Sequence, residues 1–414
     1  MLVAPHTPDR ECNTRTPPQG GSAGCQHGFA GNGRPHYCSY IQVPGVLATL
    51  YPASTPDEHV VVAYLGACTL WWHLQARELA AVKRLLDAGK PLTLSQEQVV
   101  CKRLDRCLAL AETMQEASAL VTRYLITAAP QIVVGFRVDG LLPAHPLVRE
   151  LVILTRQVQA HVHPVRGSLE VRRRLGVYGG LAEQNLKVAS RLLATVNASA
   201  QPAVPLQRFL PMELLTWSAQ TLERHHPQAV TDPDTTDPLV FIVAHQVFEV
   251  WFPATISALE AATGYLTQQA PDVLAALPLV HRAGDLVRLW QRMIHLPQSM
   301  SAADYVAFRP QLEGGSGAES EQFRQVEILA GLHSDPYRQS LEQMHLLTPR
   351  LEALWQQPSL NEALLHLLVA RGIVTPEASE SQQARELAAI LLTTDAAHPH
   401  ADLAALCRTA RQRA

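Results

Sequence analysis

Charge is scarce along this chain: Asp, Glu, Lys and Arg make up 17% of 414 residues and nearly cancel, to a net −3. That balance excludes the basic stripe by which proteins hold nucleic acid. Cysteine spacing of the metal-binding kind is missing as well. Cys12, Cys25, Cys38, Cys68, Cys101, Cys107 and Cys407 are odd in number and include no CxxC or CxxCH. A disulfide framework, a zinc site and covalent haem attachment are therefore not indicated, and free thiols in a reducing compartment are expected. The apolar stretches are broken by His, Glu, Pro or Arg before they reach bilayer-spanning length, and no charged start followed by an apolar run opens the chain. No membrane span and a soluble, cytoplasmic protein follow as expectations. Alternating strand patterns are nearly absent. What is abundant is apolar content, 47%, enough for a sizeable core and too much for wholesale disorder.

At 414 residues the chain is too long for one small domain, and two or three units are expected. Residues 1–36 hold "NTRTPPQGGSAGCQHGFAGNGRP", rich in Pro, Gly, Thr and Asn without period, and read as a flexible tail. From Tyr37 onward nearly every segment carries helical periodicity, so the class is all-α. A composition break at "NASAQPAVP", 197–205, divides the rest into 37–200 and 201–414. These stretches resemble each other. "YCSYIQVPGVLATLYP" followed by "DEHVVVAYLGACTLWWHLQARELAAVKRLL" runs parallel to "LQRFLPMELLTWSAQ" followed by "DPLVFIVAHQVFEVWFPATISALEAATGYL". Arg123 falls opposite Arg309 and Phe136 opposite Phe323. We read two related helical-bundle halves from an internal duplication. They are chemically unequal, because Tyr64 stands where His245 does and Ala119 where Tyr305 does.

The polar residues of the second half are the informative ones. In "PLVFIVAHQVFEVWFP", Phe241, His245, Phe248 and Phe252 share a helical face, so an imidazole stands in line with three aromatic rings. Leaving it unpaired there costs roughly 1–3 kcal/mol. Either it bonds a neighbouring carbonyl as a core histidine or it faces a ligand. Downstream, "SMSAADYVAFRPQLEGGSGAESEQFR" opens with an S-x-x-D capping pattern at Ser301 and Asp304. The helix it starts is predicted to end near "EGGSG", with Tyr305 and Arg309 on one face. Arg309 either pairs with a surface carboxylate or clamps the carboxylate of a ligand.

Taken together, "FIVAHQVFEVWF" and "MSAADYVAFRPQLEGGSGAESEQFR" resemble the paired signature of the tryptophan 2,3-dioxygenase family. The likeness runs through "PSLNEALLHLLVARGIVTP", and "YCSYIQV" is similar to the family's opening Y-x-x-Y element. The resemblance implies an α-helical haem b enzyme that inserts O2 across the indole C2–C3 bond of tryptophan or a related aromatic amino acid. It implies that His245 bonds the indole N–H, that Phe241 walls the indole pocket, and that Arg309, with Tyr305 beside it, holds the substrate carboxylate. Ser316 and Gly317 match the loop lining haem and substrate. Tyr37 and Tyr40 match tyrosines that a neighbouring subunit contributes, and here the first half of the same chain is expected to supply them. Further assembly into a homodimer stays open.

The family's R-H-x-x-M-V-x-R-x-x-G helix, which carries the proximal histidine, and its G-T-G-G-S-x-G motif occur in neither half. His161 and His163 in "RQVQAHVHPVRG" lie nearest to a proximal position, and His245 is a third candidate axial ligand. "SGAES" in place of S-G-F-Q-S removes an aromatic group from the loop. Three readings compete: a haem-dependent oxygenase, in secondary metabolism for instance; a relative with an altered metal centre and different chemistry; and a non-catalytic helical binding protein.

Overall fold

The computed structural model describes residues 37–50, 52–87, 91–132, 137–139, 146–160, 169–197, 203–205, 211–231, 237–312 and 316–372. The expected tail at 1–36, along with Phe136, His161 and His163, lies outside them. Among the described residues the fold is helical. In chain order the elements are α1 (Tyr37–Ile41), α2 (Val43–Thr49), α3 (Pro56–Asp87), α4 (Leu94–Ile132), α5 (Pro146–Ala160), α6 (Leu169–Asn197), α7 (Glu213–His225) and α8 (Pro227–Thr231). There follow α9 (Asp237–Leu266), α10 (Val273–Met293), α11 (His295–Gln298), α12 (Ala302–Phe308), α13 (Glu321–Ala330), α14 (Asp335–Gln343), α15 (Pro349–Trp355) and α16 (Leu360–Ala370). Two three-residue strands, β1 (Arg137–Asp139) and β2 (Ala203–Pro205), pair in parallel.

Two compact units divide the described residues: 37–251 with 289–312, and 252–288 with 316–372. Their boundary cuts across the sequence halves at 197–205. The first unit is built on long helices, α3 packing against α4 and α5, and α4 against α6. Local chemistry starts α3 at Pro56: Glu58 Oε2 accepts from the Ser54 and Thr55 amides while Thr55 Oγ1 accepts from the Glu58 amide, a reciprocal cap. Most of α3 is buried, from Val60 to Leu86. Gly66 permits this, since a Cβ there would lie 2.8 Å from Leu50 Cδ2 and 3.2 Å from Val250 Cγ1. The second unit packs α13 against α15 and α16. Ser320, Thr348 and Ser359 cap these three helices, Ser359 with Glu362 in a full capping box.

By length and composition α9 could cross a bilayer, but 83% of its most apolar window is buried inside the protein. Burial of that kind marks a core helix. Its polar residues need partners within the protein, and these partners shape the site.

Candidate functional site

His245 projects from α9 with its Nδ1 2.7 Å from the carbonyl oxygen of Phe241, one turn earlier. Only a protonated nitrogen can make that bond, so Nδ1–H donates and Nε2 of the neutral ring is left as an acceptor. Burial lowers the His245 pKa, and the bond to Phe241 opposes this only in part. The neighbouring-carbonyl reading of this histidine is thus met at Nδ1, and Nε2 is left as the ring's acceptor.

Aromatic rings surround it. Phe241 lies 4.1 Å from the imidazole, centroid to centroid, and Tyr37 meets it edge-on at 5.8 Å. Tyr40 packs on Phe241 at 6.1 Å, Phe308 at 5.6 Å and Tyr305 at 6.2 Å. These rings come from α1, α9 and α12, and all belong to the first compact unit.

Buried hydrogen bonds hold α1 in place. Thr221 Oγ1 on α7 donates to the Tyr40 carbonyl at 3.0 Å, and Gln246 Nε2 on α9 donates to the Ile41 carbonyl at 3.1 Å. Gln246 Oε1 in turn accepts from Ser218 Oγ at 2.5 Å. The chain then turns through Gln42, whose φ of 61° is left-handed and unusual for a residue with a side chain. Next, α2 lies so close to α7 that a Cβ on Gly45 would sit 2.5 Å from the Trp217 ring. Tyr37 and Tyr40 are consequently buried, at 3% and 2% exposure.

The Tyr40 hydroxyl bonds His226 Nε2. Burial pushes the Tyr40 pKa far above the ordinary tyrosine value, so the phenol stays protonated and able to donate. His226, wholly buried at the corner between α7 and α8, also meets Phe308 edge-on at 5.6 Å. The sequence reading missed both His226 and Phe308. The pair "HH" before Pro227 is a faint signal, and Phe308 was hidden behind the arginine that follows it.

On α12, Ser301 caps the helix by accepting from the Asp304 amide at 3.1 Å, as its S-x-x-D pattern predicts. The helical run ends at Leu312, next to "EGGSG", as expected, but its last turn is not α. The α-helix ends at Phe308 and tightens into a 3-10 turn over Arg309–Leu312. Pro310 explains the change, because it has no N–H to continue the ladder. Arg309 still reaches back, donating from Nη1 to Tyr305 Oη at 2.5 Å. Its guanidinium is exposed, and among the described residues it pairs with no carboxylate. Its remaining donors suit an incoming anion.

Ser316 and Gly317 belong to the second unit. There Ser316 Oγ accepts from the Ala318 amide at 3.2 Å, and the 3-10 turn Gly317–Glu319 is held by Arg324, which donates to the Ala318 carbonyl from Nε at 2.9 Å and Nη2 at 2.6 Å. In the first half, Tyr64 is buried and bonds Ser118 at 2.6 Å, while Ala119 is exposed.

Comparison with known proteins bears on the same region. The family profile of tryptophan 2,3-dioxygenase matches residues 211–385. A tryptophan 2,3-dioxygenase of Nocardioides sp. is 31% identical over 176 residues, 41% of this chain and 64% of that protein. One from Herpetosiphon aurantiacus is 31% identical over 160 residues, 38% of this chain and 56% of the relative. One from Burkholderia mallei is 30% identical over 159 residues, 38% of this chain and 49% of the relative. The chain thus spans from about half to just under two thirds of the length of these relatives. No solved structure matches it. Over residues 211–385 the chain is thus similar to the tryptophan 2,3-dioxygenase family.

Proposed function

We propose that the site around His245 binds tryptophan or a closely related aromatic amino acid and that the protein is an oxygenase acting on it with O2. One observation supports the reading: Tyr37 and Phe241 pack on the His245 imidazole, Tyr40 and Tyr305 pack on Phe241, and the Arg309 guanidinium bonds Tyr305, linking residues scattered over most of the chain. In this reading Nε2 of His245 accepts the indole N–H, Phe241 and Tyr37 flank the indole, and Arg309 takes the α-carboxylate with Tyr305 steadying it. The rings now rest against one another, so the ligand enters by replacing ring–ring contacts. The first half, as a diverged duplicate, is proposed to supply the two tyrosines that family members take from a neighbouring subunit.

The family implies a haem, here haem b, which when bound supplies O2 activation. Such a group needs an axial donor. His226 Nε2 is committed to Tyr40, and His245 Nε2 cannot serve iron and the indole N–H together. The described residues around His245 therefore do not fit a haem and the amino acid at once. His161 and His163 remain the proposed axial candidates, outside the described residues.

Arg309→Leu tests the reading. Removing one side of a charge-assisted, partly desolvated pair costs about 2–5 kcal/mol, roughly 30-fold to several-thousand-fold in affinity. L-tryptophan binding by calorimetry should fall accordingly with helical content unchanged, and Arg123→Leu should do much less. Equal binding by Arg309→Leu and wild type would show an ordinary surface arginine, and a purified protein that takes up no haem on titration would remove the oxygenase half of the proposal.

A further inference from the structure

We infer that Lys102 is a positioning residue that sets Arg309 against His245, an inference that rests on the roles proposed above for those two residues. Lys102 is on α4, far from both in sequence. Its Nζ lies 3.0 Å from Asp237 Oδ2 and 2.6 Å from Asp304 Oδ2. Asp237 is the first residue of α9, the helix that carries Phe241 and His245, and Asp304 is in the first turn of α12, the helix that carries Tyr305 and leads into Arg309. One ammonium therefore ties the starts of the two helices that present the imidazole and the carboxylate clamp.

The two attachments differ in strength of backing. Asp237 is also paired by Arg106, whose Nε bonds Ser299 Oγ at 2.9 Å and whose Nη1 bonds the buried Glu78 at 3.1 Å. Asp304 has Ser301 and Asp237 itself besides Lys102, and among the described residues Lys102 is the cation paired with it. Two oxygens at those distances from one nitrogen are no more than about 5.6 Å apart, so without the ammonium two carboxylates repel at short range. Arg106 keeps α9 where it is. The repulsion falls on α12, and it moves Tyr305 and Arg309 away from the imidazole.

Three variants and two readouts test this. Hydrogen exchange across 302–312 needs no ligand, and it should accelerate in Lys102→Met, stay near wild type in Lys102→Arg, and slow again in Lys102→Met/Asp304→Asn, where the repulsion is gone. Calorimetry should show L-tryptophan binding about tenfold weaker in Lys102→Met, while 3-methylindole, which has the indole but no carboxylate, stays within about twofold. Unchanged exchange in Lys102→Met, or equal loss of both ligands, would overturn the inference. Failure of the wild type to bind L-tryptophan would instead sink the roles of Arg309 and His245, and the exchange result would still decide whether Lys102 holds α12.

Discussion

His245 shows how burial and one hydrogen bond together choose a chemical state. Desolvation disfavours the imidazolium, and the Phe241 carbonyl fixes the tautomer, so the ring presents a lone pair at Nε2 near neutral pH. His73 on α3 is shifted further in the same direction, down to about 4, by burial first and by Arg77 second. The unfolded chain takes up this proton near pH 6.5 and the folded chain only near pH 4, so the unfolded state binds more protons in between. Stability from His73 is therefore fully present above about pH 6.5 and is lost as pH falls toward 4, by roughly 3 kcal/mol. Denaturant melts at pH 7 and pH 4 should show His73→Gln losing about that much less stability than wild type, and parallel losses would show that His73 titrates normally. The periodicity of "FIVAHQVF" placed His245 on an aromatic face. A bond to a neighbouring carbonyl was one of its two readings, and which carbonyl takes it was left to the rotamer.

At the scale of elements, the short helices matter more than the long ones. A five-residue helix such as α1 cannot persist alone, since nucleation costs more than so few bonds return. It is held by Thr221, Gln246 and the tight seat of α2 on Trp217, which also donates to Thr49 Oγ1 at 3.0 Å. Gly45→Ala tests that seat. Overpacking of this kind costs about 1–3 kcal/mol, and the change should lower the urea midpoint and weaken L-tryptophan binding, whereas wild-type values for both would mean that Trp217 swings aside freely. The short helix α12 depends likewise on its cap and on Lys102. Its start was legible in S-x-x-D. Its end near "EGGSG" was legible in the glycines, but the change from α to 3-10 at Arg309 was not.

For the whole molecule, the first unit is organised about a chain of ion pairs. Glu78, with its side chain fully buried, receives Arg103 at 2.9 Å and Arg106 at 3.1 Å, and Arg106 and Lys102 carry the chain on to Asp237 and Asp304. Neutralising its centre removes the buried carboxylate that both guanidinium groups share, and breaking a buried pair typically costs about 3–5 kcal/mol. Glu78→Gln should lose that much in urea unfolding, and a loss below about 1 kcal/mol would show that water reaches the arginines. By itself the sequence determined the helical class, the face that bears His245, the cap of α12 and the likeness to a family, because these follow from period and local spacing. Tertiary structure alone decided that His226 holds Tyr40 and that Lys102 joins α9 to α12. The compact units were likewise invisible in the composition break at 197–205. Such contacts join residues as many as about 200 positions apart, and they are selected by packing and by the need to pair every buried charge and polar group, neither of which leaves a periodic trace along the chain.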